Sequence, residues 1–240
     1  LKAMGAPGHG STPRPDEAPQ QIIDAIAAVQ KRQINPVIHP AMVDLFVEAG
    51  HHKGGLIEPL FTNRWLRNSI LRPRLMENPL MRASMLNTMH LTGFGDANKP
   101  NVVPSESFAV LDCRIQPEVE PEEFIEQVRS IVGPNIEVEV ISSNRGSLSP
   151  WNDPFYHALA RYAVQGEADA VAGPVVSVGY TDSNKLRPLG VRAYGFMPVL
   201  LSESDMEGFH GNNEHLSVAN LRLGTQKLYS AVVEVSAVQP

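Results

Sequence analysis

Between residues 120 and 141 the apolar period changes once, and that change constrains the fold more than any other stretch. Phe124, Ile125, Val128 and Ile131 recur at three- and four-residue steps behind Pro121-Glu122-Glu123, whose acids sit at the positive end of a helix. Ile136-Glu137-Val138-Glu139-Val140-Ile141 then alternates strictly, which gives a strand with one wet face. Upstream, residues 87–94 and 107–115 are β-rich, with the turn-forming Gly95-Asp96-Ala97-Asn98-Lys99-Pro100 nearby. Pro13, Pro15 and Pro19 close an opening loop, after which Ile22, Ile23, Ile26, Ala27 and Val29 mark a helix as far as Lys31. The order strand, helix, strand, strand, helix, strand is the split βαβ, or ferredoxin-like, pattern.

From about residue 33 to 80 the periodicity loosens. Met42-Val43-Asp44-Leu45-Phe46-Val47 and Trp65-Leu66-Arg67-Asn68-Ser69-Ile70-Leu71 alternate with Pro and Gly, which reads as short helices in an insert. Residues 142–150 are rich in Ser, Asn, Gly and Pro and form the best linker. Beyond them the chain has an α/β pattern, with a helix over 154–164, short buried strands over 175–178 and 192–196, and a long closing helix over 217–235 carrying Leu221, Leu223, Leu228 and Val232. The expected domains are therefore 1–145 and 146–240. No internal repeat or low-complexity tract appears.

A net charge of −6 and a pI near 5.8, without a Lys/Arg cluster, argue against nucleic acid or an anionic membrane as the main partner and favour a small-molecule substrate. The single Cys113 cannot form an internal disulfide, and its place in Phe108-Ala109-Val110-Leu111-Asp112-Cys113 suits a packed thiol. No apolar run approaches the ~20 residues that span a bilayer, and Leu1-Lys2-Ala3-Met4 lacks secretory-signal character, so a soluble, cytoplasmic protein is expected. The absence of an initiator methionine leaves room for missing upstream sequence.

Four polar clusters interrupt the apolar runs. In Gly208-Phe209-His210-Gly211-Asn212-Asn213-Glu214-His215, glycines flank an imidazole just before the closing helix, a setting that suits a metal ligand, although a surface histidine is the commoner reading of such a loop. In Gly8-His9-Gly10-Ser11, glycine on both sides would let the backbone bend sharply and leave the ring unshielded; a turn histidine is the plainer alternative. Asn101-Val102-Val103-Pro104 places an amide where a loop enters a strand, and Arg114, thirteen residues on, offers a planar fork for a carboxylate or a rim salt bridge. Tyr180-Thr181-Asp182-Ser183 lies at a strand's C-terminal edge, where it could seat a substrate or cap a short helix. His51-His52 and His90 have no second ligand in register and read as surface residues. No Gly-x-Ser-x-Gly nucleophile elbow is present.

Gly-His-Gly-Ser-x-Pro opening a helix, Asn-Val-Val-Pro with Arg thirteen residues later, Gly-x-Thr-Asp-Ser, and His-Gly-Asn-Asn-Glu before the last helix resemble, in order and spacing, the dizinc family of carboxypeptidase S, aminoacylase, acetylornithine deacetylase and succinyl-diaminopimelate desuccinylase. The resemblance implies a ferredoxin-like α+β lid that forms a homodimer, followed by the C-terminal part of an α/β zinc-peptidase catalytic domain. It implies hydrolysis of an amide bond in a small peptide or N-acyl amino acid, with two zinc ions in the complete enzyme. It further implies His210 as a terminal zinc ligand, His9 as an oxyanion donor crossing the dimer interface, Asn101 and Arg114 as substrate contacts, and Thr181 as a seat for the substrate. The family's remaining zinc ligands and its catalytic acid pair precede the lid and are absent, so the chain is expected to be an inactive C-terminal fragment binding no zinc alone. Asn184 stands where the carboxypeptidase S branch usually has Arg, which leaves side-chain preference open. The alternative is a non-catalytic dimerisation or ligand-binding module.

Overall fold

The computed structural model describes residues 1–95 and 99–237. Its principal elements in chain order are β1 (Lys2–Met4), β2 (Gly8–His9), α1 (Ala18–Lys31), α2 (Pro40–Lys53), β3 (Thr88–Gly95), β4 (Val102–Val103), β5 (Glu106–Arg114), α3 (Pro121–Val132), β6 (Ile136–Glu137), α4 (Pro154–Val164) and α5 (Val218–Ser236). They divide into two compact units, one of Leu1–Val37 with Leu75–Ser147, the other of Ile38–Arg74 with Leu148–Pro240.

The first unit is the expected α+β lid. Its sheet runs β3-β5-β1-β6, every neighbouring pair antiparallel, which is the ferredoxin-like order. β2 and β4 form a separate two-stranded ribbon. The core holds Ala3, Ala18, Ile22, Ala25, Ala109 and Ile136, with Leu1, Ile26 and Val132 packed against it. Four alanines among those six let the helix layer approach the sheet closely. Gly5 completes that approach: a Cβ there would lie 2.6 Å from the Ala18 nitrogen and 2.7 Å from the Asp16 carbonyl oxygen. α3 starts as its sequence dictates, with Pro121 in the first turn beside Glu122 and Glu123, and ends at Gly133 with φ of 83°.

One expectation in this unit is corrected. β6 pairs only over Ile136–Glu137, opposite Ala3 and Lys2 of β1, although the alternation continues to Ile141. β3 carries a bulge between Leu91 and Gly93, where Gly93 faces Val110 so closely that a Cβ would meet its side chain at 3.2 Å. The turn read at residues 95–100 lies partly outside the described residues.

In the second unit every regular element among the described residues is helical. α2 is a continuous fourteen-residue helix rather than a short one, begun by Pro40 and capped by His39, whose side chain accepts the Ala41 amide hydrogen; shorter turns follow over Gly55–Ile57 and Glu58–Thr62. The Trp151 indole donates to Asp44 of α2 at 2.8 Å and meets His39 edge to face. α4 packs on α5, where the ammonium of Lys227, 5% exposed, donates to the Ala163 carbonyl at 2.8 Å. The strands expected over 175–178 and 192–196 do not form. A parallel strand is held by neighbours on both sides, and among the described residues none pairs with these segments, so Val175 is left 62% exposed. No helix among the described residues is long and apolar enough to cross a membrane.

Candidate active-site residues

His9 and Asn101 are brought together by the β2–β4 ribbon. His9 lies opposite Val102, and the Gly10 amide donates to the Asn101 carbonyl at 3.0 Å. Both residues are exposed. The Ser11 amide donates to His9 Nδ1 at 3.2 Å, with the Ser11 hydroxyl 2.8 Å from the same nitrogen. A backbone N–H can only donate, so Nδ1 presents its lone pair and the neutral ring carries its proton on Nε2. Nε2–H has no partner among the described residues, the form that suits a developing oxyanion. The flanking glycines do not act by bending the chain. Neither has a positive φ, a Cβ on Gly8 would meet nothing within 4 Å, and one on Gly10 nothing nearer than 3.5 Å. Their effect is to leave the ring unscreened.

Arg114 does not join this pair. Its guanidinium is held in a bidentate ion pair with Asp112, Nε donating at 2.6 Å and Nη2 at 2.8 Å, both side chains half exposed. Residues two apart on a strand share a face, so this pairing was legible in Asp112-Cys113-Arg114 as the rim salt bridge and was missed as a positioning device. Asp112 occupies the Nε edge and leaves the Nη1 end of the fork for another acceptor. β4 leads into the Glu106 end of β5, whereas Arg114 closes the other end. Eight steps at ~3.3 Å each separate those ends by roughly 26 Å. One lid thus presents two groups of polar residues, His9 with Asn101 at one end and Arg114 with Asp112 at the other.

Thr181 and His210 belong to the second unit. Thr181 is exposed, and its carbonyl accepts the Asn184 amide at the start of the single turn Ser183–Leu186. The helix-capping alternative fails, because Asp182 makes no side-chain cap and its carboxylate instead lies 3.9 Å from the Lys185 ammonium. His210 is exposed, with φ of 59°, and Asn213 follows with φ of 63°, the two non-glycine residues in left-handed backbone among those described. Such a conformation is uncommon outside glycine and marks a segment whose shape its surroundings impose. The His210 amide donates to Glu214 Oε2 at 3.3 Å, and His215 Nε2 lies 3.7 Å from Asp205 Oδ1. The Ser202 amide and hydroxyl both donate to the Asp205 carboxylate and hold its pKa below the usual 3.8, with a smaller downward pull from His215.

Zinc is tested by the donors themselves. Among the described residues no group of three or more His, Cys, Asp or Glu side chains is placed to hold a metal. A zinc site needs at least three protein ligands, so the side chains around His210 do not make one by themselves.

Residues 1–138 match the family model of the peptidase dimerisation domain of M20 enzymes. Probable carboxypeptidase S-like 2 of Dictyostelium discoideum is 26% identical over 218 residues, covering 90% of this chain and 42% of that protein. The human N-fatty-acyl-amino acid synthase/hydrolase PM20D1 is 29% identical over 218 residues, covering 88% and 43% respectively. Aminoacylase-1A of Rattus norvegicus is 27% identical over 185 residues, covering 72% and 44%. The chain thus spans less than half the length of these curated relatives. A ferredoxin-like lid, the ribbon that pairs His9 with Asn101, and a family match over more than half of the chain lead to one assignment: the chain belongs to the M20 family of metallopeptidases and amidohydrolases.

Proposed function

We propose that this chain supplies the lid, residues 1–145, and the C-terminal catalytic segment, residues 146–240, of a homodimeric hydrolase that cleaves the amide bond of an N-acyl amino acid or small peptide. The observation that carries the reading is the ribbon holding His9, its Nδ1 accepting from Ser11, beside Asn101. Two neutral donors, the His9 imidazole and the Asn101 amide, would suit the oxygen of a carbonyl under attack by water, where charge develops only in the transition state. Arg114, fixed by Asp112, suits the carboxylate that an N-acyl amino acid or a C-terminal residue presents. Thr181 would seat the substrate. His210 would be one terminal ligand of a zinc pair whose other ligands this chain does not supply, so the chain alone should be inactive.

The test supplies zinc and an M20 catalytic N-terminal half in trans and follows hydrolysis of N-acyl amino acids. Recovery of activity supports the reading. His9→Ala should then lower kcat by about 10²–10³-fold, the cost of one oxyanion donor. Ser11→Ala should change it little, because the Ser11 backbone amide still fixes the tautomer. Unchanged kcat in His9→Ala would remove the oxyanion role. A non-catalytic dimerisation or ligand-binding module is the second reading, favoured by the lack of three clustered metal-ligating side chains among the described residues. It predicts assembly without any recovered hydrolysis.

A further inference from the structure

Residues 51–74 reverse the charge of the chain that contains them. Lys53, Arg64, Arg67, Arg72 and Arg74 stand against one carboxylate, Glu58, a net +4 within a protein of net −6. Glu58 is itself engaged, 2.9 Å from His51 Nδ1. The same segment turns apolar side chains to water. Gly54 and Gly55 have φ of 60° and 64°, and the sharp turn they form projects Leu56, 99% exposed, with exposed Ile57 beside it.

Helix follows over residues 64–75. It is made of Arg64–Leu66, the wide turn Arg67–Leu71, in which the Arg72 amide donates to the Arg67 carbonyl five residues back, and Arg72–Leu75. Its amphipathic order is inverted. Arg67 is the buried residue, and its Nη1 donates to the Phe61 carbonyl at 2.7 Å, closing the turn Glu58–Thr62. Trp65, roughly 200° round the helix from Arg67, is 70% exposed. Ile70, Arg64 and Arg74 are exposed as well.

Clustered apolar tips in water mark a docking surface, and the charge around them selects what docks. Cations alternate with the tips, Lys53 before Leu56, Arg64 beside Trp65, Arg74 after Ile70, whereas the core of a protein interface is depleted of charge. We propose that residues 53–74 bind the surface of an anionic phospholipid bilayer without crossing it. The indole and aliphatic tips enter the boundary between headgroups and acyl chains, and the cations stay among the anionic headgroups. The expectation against an anionic membrane rested on whole-chain charge, which conceals this segment. None of these residues is among those proposed for hydrolysis, so the two readings fail separately.

Vesicle flotation tests this. Phosphatidylcholine vesicles with about 30% phosphatidylserine, in about 0.1 M salt, should carry the chain upward, and partition should be at least about tenfold weaker on pure phosphatidylcholine or in about 0.5 M salt. Arg64→Gln with Arg74→Gln removes two exposed cations, each giving about fivefold, and should lower partition about 25-fold. Leu56→Ser with Trp65→Ser should lower it at least about tenfold. Val175→Ser with Leu189→Ser, at exposed apolar positions outside the segment, should leave it unchanged. Equal partition on the two vesicle types, an equal loss in the Val175/Leu189 pair, or no partition at all would overturn the proposal. So would self-association that Trp65→Ser abolishes, without lipid binding, since a second copy would then be the occupant.

Discussion

The roughly 26 Å between the His9 and Arg114 ends of β5 can be tested by crossed complementation. The carboxylate and acyl carbonyl of an N-acyl amino acid lie only about 4 Å apart. On the proposed function one lid would then not place both ends of β5 on one substrate, and each site would take His9 from one subunit and Arg114 from the other. Consider the dimeric enzyme reconstituted as above, with equal amounts of His9→Ala and Arg114→Ala chains. Each homodimer should fall to about 1% or less, because every site lacks an oxyanion donor or a carboxylate fork. Random pairing makes half of the dimers mixed. In a mixed dimer one site carries both defects and the other carries neither, so about a quarter of all sites are intact and about a quarter of the wild-type rate should return. Hydrolysis of an N-acyl amino acid, measured before and after subunit exchange, reads this directly. If mixing leaves the rate near the homodimer level although exchange is shown to occur, both residues serve one site from one subunit, and the inference from the length of β5 is wrong.

Two further outcomes follow from local geometry. Ile22 is fully buried in the lid core, so Ile22→Ala should cost about 2–5 kcal/mol in urea unfolding followed at lid amides, whereas Ile23→Ala, at a position 49% exposed, should cost less than about 1 kcal/mol; equal losses would mean that the face of α1 is assigned wrongly. Asp205 has a folded pKa below the unfolded 3.8, so its contribution is present above 3.8 and is lost as pH falls through the folded value. Titration of the Ser202 amide by NMR should show its midpoint below 3.8 and a rise on Ser202→Ala; an unmoved midpoint would exclude the Ser202 hydroxyl as a cause.

The lid was legible because its signals are local. Helix-period apolar residues in 120–132 and strict alternation after 136 each depend on few neighbours, and both stand in the structure, the alternation in part. Where a partner strand was required, sequence reasoning failed. Residues 175–178 and 192–196 have strand composition but no ladder, and β6 pairs over only two residues of its alternation. The length of α2 was hidden because its apolar residues are spread around the helix, with Ala41, Met42 and Phe46 buried and its polar positions interrupting any single stripe. At the candidate site, the nearness of His9 to Asn101 was implied by motif order alone, and the ribbon supplies the physical reason. The distance to Arg114 was invisible, since thirteen residues of spacing do not reveal that most of them form one straight strand. Left-handed backbone at His210 gave no warning in its residue type, although histidine and asparagine tolerate it better than most.

The division of the chain has a consequence for biosynthesis. Neither compact unit is contiguous: the segment 38–74 interrupts the lid, and its partners begin at Leu148. At about 5–20 residues per second, the ribosome needs roughly 4–15 s to pass from Arg74 to Leu148. Through that interval α2 already has the helical turn Glu58–Thr62 to pack on, and its bond from the Trp151 indole to Asp44 is among the contacts that wait for the later segment.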